Sequence, residues 1–181
     1  MTFNFKKTSL DEVILVESDI YSDNRGFFTE GYKESVFKAN GITCDFIQDN
    51  ISVSTAKVLR GLHFQKGEAA QAKLVRCVSG CIYDVAVDIR PESPNYKKYV
   101  RVELSSKNNN ALFIPRGFAH GFVVVSDSAT VSYKVDNEFN ATADAGVYWA
   151  DEDLDIDWGI NFTPILSQKD SNLPRLKEIN V

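Results

Sequence analysis

Apolar and polar side chains alternate between residues 81 and 89. Cys81, Tyr83, Val85, Val87 and Ile89 fall on one side of an extended chain, Asp84 and Asp88 on the other. A period of two is that of a β-strand. The preceding run, Lys73-Leu-Val-Arg-Cys-Val78, is also read as a strand, and Ser79-Gly80 between the two predicts a hairpin turn. Further short strands are expected over 100–104, 111–114, 121–125 and 130–135, and the segment 58–65 is strand-like. Turn formers separate them: Arg90-Pro91, Ser93-Pro94, Asn108-Asn-Asn110 and Pro115-Arg-Gly117. One short helix is expected over 33–39, stopped by Asn40-Gly41. Many short strands with regular turns predict an all-β sandwich or jelly roll rather than βαβ units. No repeat, low-complexity tract or linker interrupts the pattern, so residues 1–181 are read as one domain.

Composition narrows the class. Hydrophobic content of 44%, with 12 phenylalanines, fits a chain that buries a substantial core. No apolar stretch approaches the roughly 20 residues that span a bilayer, and the first seven residues lack the apolar core of a signal peptide. A cytoplasmic protein without a membrane segment is expected. The net charge of −5 argues against general nucleic-acid binding, yet leaves a local Arg and Lys cluster able to hold a phosphate. Cys44, Cys77 and Cys81 form no CxxC pair and have no histidine at zinc-ligand spacing, so they are read as free thiols.

The two histidines carry the candidate chemistry. His63 lies in Leu59-Arg-Gly-Leu-His-Phe-Gln65 and His120 in Ile114-Pro-Arg-Gly-Phe-Ala-His-Gly-Phe122. Zinc and iron sites commonly take three or more ligands with paired histidines, whereas these two stand 57 residues apart, so no metal is expected. Neither a Gly-x-Ser-x-Gly elbow, a cysteine–histidine arrangement nor a glycine-rich phosphate loop is present. General acid–base chemistry remains, with His63 as base once a carboxylate fixes its tautomer. A hydrogen-bonded strand histidine is the competing reading, and the residues alone leave both open. Arg25, Arg60, Lys73 and Lys169 stand beside turns or strand ends, as phosphate anchors or as plain surface cations. Ser167-Gln-Lys-Asp170 fits a helix capping box. Arg60 and His63 should face opposite sides of a flat strand. Gly61 is placed for a bulge that would bring both toward one pocket; otherwise the long arginine reaches around the rim.

Several segments occurring in order together carry a resemblance. They are Asp23-Asn-Arg-Gly-Phe-Phe-Thr-Glu30, Gln48-Asp-Asn50, the two histidine blocks, Lys73-Leu-Val-Arg76, Asp84-Val-Ala-Val-Asp-Ile-Arg90, Tyr133-Lys134 and Leu166-Ser-Gln-Lys-Asp170. From about residue 8 to about residue 175 the chain closely resembles the dTDP-4-dehydrorhamnose 3,5-epimerases of nucleotide-sugar biosynthesis. The resemblance implies a cupin-type double-stranded β-helix (jelly roll) with short peripheral helices, working without metal or cofactor. It implies a homodimer with N-terminal strand exchange. It also implies a dTDP-linked 4-keto-6-deoxy sugar as substrate, epimerised at carbons 3 and 5 on the route to rhamnose for surface polysaccharide such as O-antigen.

Residue by residue, His63 matches the general base, Asp170 its partner, Tyr133 the acid on the opposite face and Lys73 the cation at the enolate oxygen. Substrate contacts match Arg25, Phe28, Glu30, Gln48, Asn50, Arg60, Ser167 and Lys169, with His120 lining the sugar site. Arg25 and Glu30 are expected to reach the neighbouring subunit. The chain departs from the family where two tyrosines often follow. Glu138-Phe139 stand there, so Phe139 stacks without a hydroxyl and Glu138 adds negative charge, while Asp144 replaces a glutamate. These departures bear on the nucleotide and the sugar more than on the reaction type, so epimerisation at one carbon or a CDP- or GDP-linked sugar is the near alternative. Alternatives of another class are a non-catalytic nucleotide-sugar-binding cupin, against which intact His63, Tyr133, Lys73 and Asp170 argue, and a metal-dependent cupin oxygenase.

Overall fold

The computed structural model describes residues 3–179. The ends of the expected 1–181 domain therefore lie outside the described residues. Among the described residues, thirteen strands and two short α-helices follow the chain. They are β1 (Phe3–Lys7), β2 (Ile14–Ser18), β3 (Tyr21–Asp23), β4 (Gly26–Phe28), α1 (Glu34–Ala39), β5 (Gln48–Thr55), β6 (Leu59–Gln65) and β7 (Lys73–Ser79). β8 (Cys81–Asp88), β9 (Tyr99–Ser105), β10 (Ala111–Ile114), β11 (Phe118–Val124), β12 (Ser128–Val135), β13 (Asp144–Gly146) and α2 (Gln168–Ser171) complete the order. No helix among them is long and apolar enough to cross a membrane.

Two antiparallel sheets face each other, as the all-β jelly-roll expectation requires. One has the order β1-β2-β10-β7-β12-β5, the other β13-β6-β11-β8-β9, and β3-β4 stands apart as a hairpin. Between the sheets, Val75, Cys77, Leu112 and Val131 of the first meet Ile82, Ala86, Leu104 and Phe122 of the second. Each fully buried Val, Leu, Ile or Phe among them contributes roughly 1.5–3 kcal/mol. The opposite pleat is buried too. Val85 and Val87 pack under Leu154, Trp158 and Leu176 of the C-terminal segment, and Leu74 and Phe113 pack under Phe37 of α1. Strands covered on both faces read as nearly continuous apolar runs, which is how 111–114 looks in the sequence.

The hairpin predicted at Ser79-Gly80 is not formed. β7 bonds to β10 and β12, whereas β8 bonds to β11 and β9, so the turn at Gly80 carries the chain from one sheet into the other. A tight turn shows that the chain reverses; it does not show which strand becomes the hydrogen-bonding neighbour. The expected helix is found with its boundary shifted by one residue, Lys33 serving as N-cap.

Candidate active site

At one end of the sandwich a cleft of about 270 Å³ opens between the sheets. His63 reaches it from β6, Lys73 from β7, Tyr133 from β12, and Gln48 and Asn50 from β5. Phe139, Asp144 and Lys169 complete the rim.

The setting of His63 begins with a defect in its strand. Across β6 and β11, His63 pairs with His120 and Arg60 with Phe122, so two residues of β6 oppose one of β11. His120 and Phe122 are two apart and share a face; their partners Arg60 and His63 must therefore share one as well. The bulge at Gly61 removes the parity conflict. Only glycine serves here: its φ is +124°, and an added Cβ would lie 2.5 Å from Gly121 Cα and 2.8 Å from His120 O. Both obstacles are backbone. Gly61→Ala should cost at least about 2 kcal/mol, lowering the urea midpoint, and should remove turnover by re-aiming His63.

His63 Nε2 meets Asp170 Oδ1 at 2.5 Å, although 107 residues separate them in sequence. Asp170 is buried at the start of α2. Ser167 caps that helix, its Oγ accepting the Asp170 N–H at 3.0 Å, so Asp170 belongs at once to a capped turn and to the histidine pair. Burial pushes the Asp170 carboxyl upward, but hydrogen bonding and charge attraction from His63, with help from Ser167, hold it below its ordinary value. An ionised Asp170 fixes the imidazole through Nε2, and Nδ1 is then the nitrogen available to a ligand.

Lys73 is only 8% exposed, and its Nζ lies 3.5 Å from His63 O. Burial lowers its pKa to about 8, partly offset by the charges of Asp84 and Asp144. Burial likewise raises the Tyr133 phenol, which stays protonated at neutral pH. The sheet of β6 thus supplies the imidazole and the opposing sheet the phenol and the ammonium.

The remaining expected residues divide into three groups. Gln48, Asn50, Phe139, Asp144 and Lys169 lie in the cleft wall, the last two joined as an ion pair. Gln48 Nε2 donates to Asn50 Oδ1 at 2.9 Å, and its Oε1 accepts the Phe139 N–H at 3.1 Å. Glu138 is absent from the wall. Arg60, Ser167 and His120 lie around it: Arg60 Nε donates to Ser54 Oγ at 2.9 Å, and His120 Nε2 meets the fully buried Asp84 Oδ1 at 2.8 Å. Burial lowers the His120 pKa although Asp84 opposes the shift. Arg25, Phe28 and Glu30 lie outside the cleft of their own chain, the first two in the β3-β4 hairpin and Glu30 just beyond it.

Asp84, Gln65 and Gln71 were not expected at the site. Alternation had set Asp84 apart from Val85 without showing that this other face is the interior. Gln65 and Gln71 line the wall, donating to Glu138 O at 3.1 Å and Asn137 O at 2.7 Å, and so hold the loop that carries Phe139. Gln65 stands two residues after His63, beyond the bulge and on the same pleat, which was its one legible signal. Among the described residues no three His, Cys, Asp or Glu side chains converge as metal ligands would.

With this geometry in place, comparison with known proteins is specific. The family model described as dTDP-4-dehydrorhamnose 3,5-epimerase matches residues 7–178. The chain is 48% identical over 177 residues to the dTDP-4-dehydrorhamnose 3,5-epimerase of Escherichia coli (strain K12), covering 97% of this chain and 96% of that one. The crystal structure of the dTDP-4-dehydrorhamnose 3,5-epimerase from Elizabethkingia anophelis NUHP1 superposes with a TM-score of 0.93 at 45% identity, covering 100% of each chain. A dTDP-6-deoxy-D-glucose-3,5-epimerase from Legionella pneumophila Philadelphia 1, crystallised with dTDP-4-keto-L-rhamnose, gives a TM-score of 0.96 at 40% identity, covering 99% of this chain and 95% of that one.

Proposed function

Because the chain belongs to the dTDP-4-dehydrorhamnose 3,5-epimerase family, we infer that its cleft performs the reaction of that family. It is an isomerase that converts dTDP-4-dehydro-6-deoxy-D-glucose to dTDP-4-dehydro-L-rhamnose. The carbons inverted, 3 and 5, flank the 4-keto group, which acidifies their protons. Inversion needs a base on one face of the sugar ring and an acid on the other. The observation that carries this reading is the placement of His63, paired with Asp170 of α2, on one sheet and Tyr133 on the opposing one.

His63 removes the proton, and Asp170 orients the imidazole and stabilises it as it becomes charged. Electron density moves onto the ketone oxygen, where the Lys73 ammonium acts mainly in the transition state because the charge it meets is only then developing. Tyr133 returns a proton from the other face. Gln48, Asn50, Arg60, Lys169 and the Phe139 ring are proposed to hold the nucleotide. Phe139 lies in the wall and Glu138 does not, which supports stacking on the base without added repulsion of the pyrophosphate.

The enzyme is proposed to be a cytoplasmic homodimer without cofactor, serving rhamnose synthesis for surface polysaccharide such as O-antigen. Its three cysteines are free thiols, as in a reducing compartment. Edge strand β5 turns Ile51 and Val53 outward, 73% and 68% exposed, and an uncovered apolar edge of this kind calls for a partner. A second copy accounts for it. The N-terminal exchange is assigned to the projecting segment around β3-β4, which would bring Arg25, Phe28 and Glu30 to the partner subunit's cleft. Turnover of dTDP-4-keto-6-deoxyglucose in deuterated water, followed by NMR, should place deuterium at both carbon 3 and carbon 5. Label at one carbon would indicate single epimerisation; no label would overturn the dTDP assignment.

A further inference from the structure

Residues 19–28 are exposed one after another, including Ile20, Tyr21, Phe27 and Phe28, of which the two phenylalanines are 56% and 58% exposed. Among the described residues, strands β3 and β4 pair only with each other. The chain leaves the six-stranded sheet after Ser18, the last residue of β2, and passes Gly31 on its way back to α1. An arm of this kind is joined to neither sheet by strand pairing. Direction must come from the root.

Arg76 sits at that root. From β7 its Nη2 donates to Gly31 O at 2.9 Å and to Ser18 Oγ at 3.2 Å, gripping both ends of the excursion. Nη1 donates to Asn109 O, in the turn that precedes β10. Thr29 Oγ1 donates to Asp19 O at 2.8 Å and closes the neck just above. All three acceptors of Arg76 are neutral. Burial pushes its pKa down, with no opposing charge effect. A half-buried cation on neutral acceptors is a poor way to gain cohesion alone. A planar fork with five donors is, however, the side chain that can hold three separate segments in fixed geometry.

We propose that Arg76 is a positioning residue whose guanidinium clamps both ends of the arm and so fixes where Arg25, Phe28 and Glu30 meet the nucleotide sugar bound by a second copy of the chain. The proposal rests on the exchanged-arm reading above and adds to it the residue that aims the arm. Arg76 does not touch the cleft, and its role is in binding, through the arm, not in proton transfer.

Arg76→Met should raise KM for dTDP-4-keto-6-deoxyglucose roughly tenfold, the equivalent of one positioned contact, while kcat and its pH profile stay unchanged. Mixed dimers give the direction of the effect. An Arg76→Met chain paired with a His63→Ala chain has its one working cleft facing a clamped arm, and KM should return to the wild-type value. A wild-type chain paired with a chain carrying both substitutions has its working cleft facing an unclamped arm, and KM should stay raised. If Arg76→Met fails to fold, Ser18→Ala, which removes one acceptor, replaces it in the same pairings with a smaller rise. A wild-type KM in the Arg76→Met homodimer overturns the clamp. A raised KM in the first pairing with a normal one in the second puts arm and cleft on one chain, which overturns the exchange and leaves the epimerase assignment standing.

Discussion

His63→Ala should abolish exchange of the substrate's carbon-bound protons with solvent, with a loss of at least about 10³-fold in turnover, in the range of a removed general base. The His63 ring contacts Asp170 on one side and the cleft on the other, so its removal takes away the one imidazole that a carboxylate orients in the cleft wall. Tyr133→Phe should behave differently, because His63 and Lys73 still permit deprotonation. Deuterium should then enter the substrate while inversion stays incomplete. NMR of the recovered sugar in deuterated water separates the two outcomes. Normal turnover in His63→Ala would remove His63 as the base.

Lys73→Met should lose activity and gain stability. The ammonium is buried, and lowering its pKa from 10.5 to about 8 at 1.36 kcal/mol per unit corresponds to roughly 3 kcal/mol of destabilisation in the charged folded state. Below about pH 8 both folded and unfolded chains carry the proton, and this cost stands in full. Between about 8 and 10.5 the folded chain has released it first, so stability rises with pH and the cost fades. Methionine has a similar length and no charge. Urea unfolding at pH 7 should therefore show Lys73→Met more stable than wild type, with the gap narrowing toward pH 10. Turnover should fall by about 10²–10³, as for other lost oxyanion donors. In the wild-type enzyme the alkaline limb of kcat/KM should sit near pH 8, where the free enzyme loses this charge. A variant that is both less stable and fully active would overturn the assignment.

What could be read in the sequence follows from which way side chains point. β8, β10 and β12 place apolar residues inward and were expected near their observed positions. β5 inverts the pattern. Its polar Gln48, Asn50, Ser52 and Ser54 point inward, toward cleft and interior, and its apolar Ile51 and Val53 point to solvent, so periodicity gave no reason to expect it. Pairing was less legible than turning, as the passage at Gly80 from β7 to β8 illustrates. The N-cap at Ser167 was visible locally, although the reciprocal half of the expected capping box is not formed because the Asp170 carboxylate is turned to His63. That Asp170 also meets His63 depends on tertiary structure across 107 residues, and only the family resemblance pointed to it. Arg76 had no local signal, because its partners Ser18, Gly31 and Asn109 are scattered along the chain.

The two facing sheets set a dimension as well as a fold. Packed sheets stand about 10 Å apart, a distance maintained by the side chains that interdigitate between them. Val75 and Val131, which help hold the sheets apart, belong to the strands that carry Lys73 and Tyr133, while Phe122 belongs to the strand beside His63. The span between the proposed base and the proposed acid is thus a thickness of hydrophobic core. Substrate fit at the mouth is gauged by residues that never see solvent, and the volume of a buried valine becomes a parameter of stereochemistry.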